Sequence, residues 1–182
     1  GLKLCSALRK QHNFDTITLM PTNLYGPGDN YNQQNSHVLP AFINKFYNAK
    51  IRKEKNVTCW GSGNPKREFL HVDDLASASI FVLENFSFIQ TNHSKNNFPD
   101  FFNVGTGKDI SIRDLAYLVA KKIGYEGDIL WDSSKPDGTP RKLLDISRLS
   151  NLGWKPSISL EDGIEETINF YIKEIKMKKI RN

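Results

Sequence analysis

DTITLMPTNLYGPGDNYNQQNSHVLPAF, residues 15–42, passes through three kinds of backbone in succession. The β-branched run Asp15–Met20 predicts a short buried strand. From Pro21 onward the turn formers Pro, Gly, Asn and Asp follow one another with no period. At "SHVLPAFINKFYNA" helical periodicity resumes, with Ser36 as the expected N-cap. A strand that feeds a helix through so long an irregular stretch is an α/β signature, and loops of this length inside compact domains are commonly functional. His37 at the end of the loop is either a surface or capping residue or a proton donor, since an imidazole titrates near neutral pH.

Working outward, "GLKLCSALRK" reads as helix interior, with Leu2, Leu4, Cys5 and Leu8 on one face and no cap ahead of them. With no initiating Met either, the chain is expected to be cut from something longer. Downstream, "VTCWGSG" and "REFLHV" predict two strands separated by a hairpin-like turn at Gly61–Pro65. "VDDLASASIFVLENF" (Val72–Phe86) predicts a helix with acidic residues in its first turn, where the macrodipole favours them. "IQTNHSKNNFPD" (Ile89–Asp100) reads as a surface loop, and "FFNVGTG" as a buried strand entering a glycine turn. A helix capped by Ser111 and stopped by Gly124 follows, then the strand "DILWD", the loop "SSKPDGTPRK", a short helix at "ISRLSNLG" and a last helix from Ser159. Strands alternating with helices mean α/β, yet only Thr16–Met20 and Phe101–Val104 look like fully buried parallel strands, so the sheet is incomplete. "GSGNPK" leads from strand to strand and is not a dinucleotide-binding glycine loop.

Composition narrows the function. The chain has 182 residues, 38% hydrophobic and 25% charged, enough for one core or for a domain plus part of another. The formal net charge of +5 is concentrated in "AKIRKEK" (Ala49–Lys55) and the tail "KEIKMKKIRN", which read as a solvated face and a helix C-terminus. No basic stripe interleaves with aromatics, so no nucleic-acid partner is expected. No apolar run is long enough to span a membrane, and no signal peptide is expected. Cys5 and Cys59 sit inside apolar patterns and predict a reducing, cytoplasmic setting. His12, His37, His71 and His93 lack ligand spacing, so no metal is expected.

Two loops hold polar groups that a bare scaffold does not require. Arg67 stands at the mouth of a strand close to Trp60, and "KPDGTPRK" (Lys135–Lys142) sets two lysines, an arginine and Asp137 around two prolines. A planar fork for phosphate, an aromatic wall for a base and a carboxylate for hydroxyls suit a nucleoside diphosphate. The competing reading pairs Arg67 with Glu68 or Asp73 and buries Trp60 in the core.

"MPTNLYGPGDNY…NSHVLPAF", "WGSGNPKREFLHVDDLA", "NVGTGKDISIRDLA" and "SKPDGTPRKLLDISRLSNLGW" together resemble the C-terminal half of the GDP-L-fucose synthases. These are NADP-dependent epimerase/reductases of the extended short-chain dehydrogenase superfamily. The resemblance spans nearly the whole chain, and the second and fourth motifs are specific to this enzyme family. It implies an α/β fold: the C-terminal, substrate-binding part of an extended short-chain dehydrogenase, with remnants of the NADP-binding Rossmann sheet. Residues 1–24 and 71–105 would belong with the cofactor sheet, and residues 25–70 and 106–182 with the GDP-sugar domain.

The family inverts carbons three and five of GDP-4-keto-6-deoxy-mannose through enolates and reduces the ketone with NADPH. The resemblance makes His37 the acid of the inversions, also adjoining the cofactor, while the family's cysteine base would precede Gly1 and is neither Cys5 nor Cys59. Pro21, Thr22, Asn23 and Leu24 would lie along the nicotinamide end of NADP. Lys45, Trp60, Arg67 and Asp137 correspond to GDP-sugar contacts, with Lys45 standing where the family can carry arginine. The glycine-rich loop, the Ser, and the Tyr and Lys of the family's YxxxK pair would all lie upstream, and "GLKLC" looks like the continuation of that pair's helix. The chain alone is therefore expected to bind a GDP-sugar at most, to be inactive, and to leave apolar faces open that invite self-association; the parent is expected to be a homodimer. Two alternatives compete: another nucleotide-sugar epimerase or dehydratase of the superfamily, and a stand-alone sugar-nucleotide-binding module without catalysis.

Overall fold

A computed structural model of the chain describes residues 1–32, 35–87 and 101–177. The predicted loop Ile89–Asp100 therefore lies outside the described residues. In chain order the elements are α1 (Leu2–His12), β1 (Leu19–Pro21), β2 (Asn23–Tyr25), α2 (Val38–Arg52), β3 (Asn56–Trp60), β4 (Lys66–His71), α3 (Val72–Asn85), β5 (Phe102–Val104), β6 (Asp109–Ser111), α4 (Ile112–Ile123), β7 (Asp128–Asp132), β8 (Arg141–Lys142), α5 (Ser147–Asn151) and α6 (Leu160–Lys176).

Local chemistry accounts for several boundaries. The Ser111 hydroxyl accepts from the Asp114 N–H at 2.9 Å and the Ser159 hydroxyl from the Asp162 N–H at 3.1 Å, capping α4 and α6. Gly124 ends α4 with φ at 73°, a conformation that costs glycine little. Asp73 and Asp74 occupy the first turn of α3, as its sequence predicts.

Among the described residues three small sheets organise the chain. β1 pairs parallel with β5, β3 pairs parallel with β7, and β4 lies between β2 and β6 while also pairing with β8. The two strands read from sequence as buried and parallel are thus mutual partners, Leu19 opposite Phe102. Apolar side chains form two clusters. One joins α2, α4 and α6 through Phe46, Leu115 and Ile168; the other joins α3, β5 and α5 through Val82, Phe102 and Leu149.

Several expectations need correction. Ser36 is not the N-cap of α2: His37 holds that position and makes no side-chain capping bond. Pro40, the third helical residue, has no N–H, so the usual target of a capping oxygen is missing. The Gly61–Pro65 turn is not a hairpin, because β3 and β4 pair with different strands. It crosses between sheets and is held at the start of α4, where the Arg113 N–H and guanidinium donate to the carbonyls of Gly63 and Ser62 at 2.8 and 2.5 Å. The first strand begins at Leu19 rather than Thr16 and is not fully buried, since Met20 is 43% exposed. The apolar residues of α1 make no buried face, and Leu4 is exposed.

Candidate active site

The strand ends and the long loop converge on two neighbouring cavities. The first, about 240 Å³, is lined by His37, Trp60, Arg67, Asp137, Asn23 and Leu24 among others. The second, about 440 Å³, runs along Thr22–Asp29 and again includes His37. Asn23, Leu24 and His37 border both. The first cavity is smaller than the roughly 300–1,000 Å³ of common ligand pockets, so a sugar nucleotide would have to extend beyond it.

Arg67 enters from β4 and pairs with neither Glu68 nor Asp73. One guanidinium nitrogen, Nη1, donates to the carbonyls of Lys66 at 2.7 Å and Thr139 at 2.6 Å. These bonds fix the plane of the fork, whose Nε and Nη2 make no hydrogen bond among the described residues. Trp60 is not core: it ends β3, is 73% exposed, and has the Lys135 ammonium 5.9 Å from its ring centroid. An exposed indole at a cavity rim supplies a flat apolar surface at little ordering cost.

Asp137 faces the turn after β3. Its carboxylate accepts from the Ser62 N–H at 2.9 Å and the Ser62 hydroxyl at 2.6 Å, and these bonds hold its pKa below the ordinary carboxylate value. Gly61 is required beside it, because a Cβ there would lie 2.4 Å from Asp137 Oδ1 and the backbone φ is 78°. Asp137 thus fastens the Lys135–Pro140 loop to the turn as well as lining the cavity.

The Pro21–Leu24 segment is anchored on one side. The Thr22 N–H donates to the Val104 carbonyl at 3.0 Å, and the side chains of Thr22 and Asn23 donate to the Glu68 carbonyl at 3.2 and 2.7 Å. Among the described residues β2 is an edge strand, so part of its backbone is free to meet a ligand. Lys45 is placed apart from this group: its ammonium donates to the Thr58 carbonyl at 2.8 Å, and it does not line the first cavity.

Sequence reasoning missed Asp29. It shares the second cavity with His37, and burial raises its carboxyl pKa, opposed by the Asn30 N–H and the charge of His37. Its signal was an acidic residue after two closely spaced glycines in the same loop. Among the described residues no three metal-ligating side chains gather, and no helix is long and apolar enough to cross a membrane.

Parallel strands whose ends meet at a cavity are the arrangement of α/β folds of the dinucleotide-binding kind. Residues 1–105 match the NAD dependent epimerase/dehydratase family, and the chain belongs to that family. It is 49% identical over 175 residues to a probable GDP-L-fucose synthase 1 of Oryza sativa subsp. japonica, covering 96% of this chain and 50% of that protein. Among solved structures, a GDP-6-OMe-4-keto-L-xylo-heptose reductase from C. jejuni superposes with a TM-score of 0.86 at 31% identity, over 95% of this chain and 58% of the other. A GDP-L-fucose synthetase from Naegleria fowleri bound to NADP gives 0.76 at 25% identity, over 88% of this chain and 48% of the other. The chain spans about half the length of the curated relatives it matches.

Proposed function

We propose that the chain is the sugar-nucleotide half of a GDP-L-fucose synthase, an NADP-dependent 3,5-epimerase/4-reductase acting on GDP-4-keto-6-deoxy-mannose. The observation that carries this reading is the shared border of the two cavities, where His37 stands between the Arg67–Trp60–Asp137 wall and the Thr22–Asp29 segment. A sugar held at that border has its diphosphate and base toward Arg67 and Trp60 and its reacting ring against His37. The similarity to the rice protein over nearly the whole chain supports the same substrate class.

In this reading Arg67 presents its free guanidinium edge to the diphosphate, and Trp60 offers its indole face to the guanine. His37 donates a proton to the ring carbon that has lost one on the opposite face, the base being supplied from outside this chain. The Pro21–Leu24 segment would hold only the nicotinamide end of NADP; the sequence has no glycine-rich phosphate loop, so the rest of the cofactor must be held elsewhere. When bound, NADPH supplies the hydride that reduces the ketone. Residues 1–24 and 71–105 form the cofactor side and the remainder the substrate side, although Leu149 and Trp154 pack with the former. In this reading the whole protein is a cytoplasmic homodimer.

Calorimetric titration of the chain with GDP, with UDP as control, tests the assignment. Selective GDP binding that weakens about tenfold or more in Arg67→Ala, and is not restored by Arg67→Lys, is expected, since lysine lacks the fork. Equal binding of GDP and UDP, or binding indifferent to Arg67→Ala, would overturn the reading.

A further inference from the structure

Glu68 is wholly buried, at 0% exposure, next to Arg67 on β4. One carboxylate oxygen, Oε1, accepts from the N–H groups of Thr106 and Gly107, each at 2.7 Å, and from the Thr106 hydroxyl at 3.4 Å. The other, Oε2, accepts from the Leu144 N–H at 3.0 Å. Its backbone carbonyl takes the side chains of Thr22 and Asn23. Gly105 leaves the space this requires, since a Cβ there would lie 2.4 Å from Oε1. One residue therefore joins the Pro21–Leu24 segment, the turn after β5, and the chain just beyond β8.

We infer that Glu68 is a positioning residue: by holding Leu144 it keeps the Lys135–Lys142 segment over Arg67 and so shapes the substrate cavity. This rests on the proposed reading of that cavity as the nucleotide site. The path is short. β8 lies parallel to β4 with Lys66 opposite Arg141 and Arg67 opposite Lys142, and the Thr139 carbonyl receives Arg67. Upstream, Pro136, Asp137 and Gly138 line the cavity. Asp137 to Ser62 ties one end of this segment and Glu68 to Leu144 the other. Every donor around the Glu68 side chain is an N–H or O–H, so both of its oxygens serve as acceptors.

Oε1 takes two N–H bonds and Oε2 one, so a single amide substitution separates the two sides. In Glu68→Gln the amide oxygen keeps the two strong N–H bonds at Thr106 and Gly107, and the amide nitrogen turns toward the Leu144 N–H, which then loses its acceptor. In the full-length protein we expect Glu68→Gln to raise the Kd for GDP and the KM for the sugar nucleotide about tenfold, leaving the KM for NADPH nearly unchanged and lowering the melting temperature only by the few degrees that one unpaired buried N–H costs. Amide hydrogen exchange should accelerate at Leu144 and not at Thr106 or Gly107. Unchanged GDP affinity, or equal loss for both ligands, would overturn the inference.

If the variant does not fold, exchange in the wild-type protein decides: the Leu144 amide should be as protected as those of Thr106 and Gly107. Fast, independent exchange at Leu144 would overturn the inference. If wild-type protein binds no GDP, the reading of the cavity fails, while the exchange data still judge the tether by itself.

Discussion

The helices α1 and α4 are of similar length, 11 and 12 residues, yet α4 buries five side chains, Leu115, Ala116, Val119, Ala120 and Ile123, and α1 buries none. The contrast extends to their surroundings. Around α2, α4 and α6 the apolar faces meet one another, and Phe46 and Leu115 are sealed from solvent. On the side of α1, β1 and α3, Leu4, Phe14, Ile80 and Leu83 stand exposed, and β1 with β5 makes a sheet of two strands. An amphipathic helix takes its stability chiefly from the surface it covers, so the first region is self-sufficient and the second presents apolar faces without partners among the described residues. The candidate site lies at the seam, and the two regions should respond differently to perturbation.

The largest expected effect is at the seam. His37→Ala in the full-length enzyme should lower epimerisation by about 10²–10⁴-fold, the usual contribution of a positioned acid. NADPH affinity should hold, as should the GDP affinity set by Arg67 and Trp60. Loss of NADPH binding in step with epimerisation, measured by rapid-kinetic assay beside cofactor titration, would place His37 in the scaffold of the cofactor region instead.

Next come the two cores. Phe46→Ala should cost about 3–5 kcal/mol in urea denaturation of this chain, because its ring is fully enclosed. Leu83→Ala, on the exposed face of α3, should change stability by no more than about 0.5 kcal/mol. A large cost at Leu83 would mean that this face is covered in solution, as by a second copy, and sedimentation at rising concentration would identify that state.

The smallest effect concerns acid. Asp137 has a folded pKa below its ordinary 3.8, first because of the Ser62 hydroxyl. A depressed carboxylate contributes its stabilisation fully above the unfolded value and loses it as pH falls through the folded one. The tie to Ser62 should therefore hold at neutral pH and open only as pH drops below 3.8. Trp60 fluorescence at the same rim should report that opening, and in Asp137→Asn the acid transition should vanish. A transition that persists in the variant would assign it to another carboxylate, such as Asp109 beside Arg141.

What could be read ahead of the structure follows a physical division. The caps at Ser111 and Ser159 and the stop at Gly124 were legible because each depends on a few neighbouring residues. Ser36 misled because the capping preference of serine marks a helix start only to within a residue, and the chain enters α2 at His37 instead. The Gly61–Pro65 turn misled for a different reason: a glycine turn between two strands looks the same whether or not they pair, and the true partner of β3 is β7, far along the chain. The site was legible in part. His37, Trp60, Arg67 and Asp137 were named from their motifs and do line one cavity, Lys45 does not, Asp29 was signalled only by its place after two glycines, and Glu68 carried nothing that sets it apart from an ordinary surface acid.

The sequence by itself determined the α/β character, most helix termini and the residue types gathered at the candidate site, because periodicity, capping and side-chain chemistry act over a few residues. Only the tertiary structure decided that Trp60 is exposed, that Asp137 is tied to Ser62, and that buried Glu68, by its carboxylate and its backbone carbonyl, holds three segments together. Those outcomes depend on which distant backbone donors meet which acceptors, and that pairing is set by the packing of the whole chain.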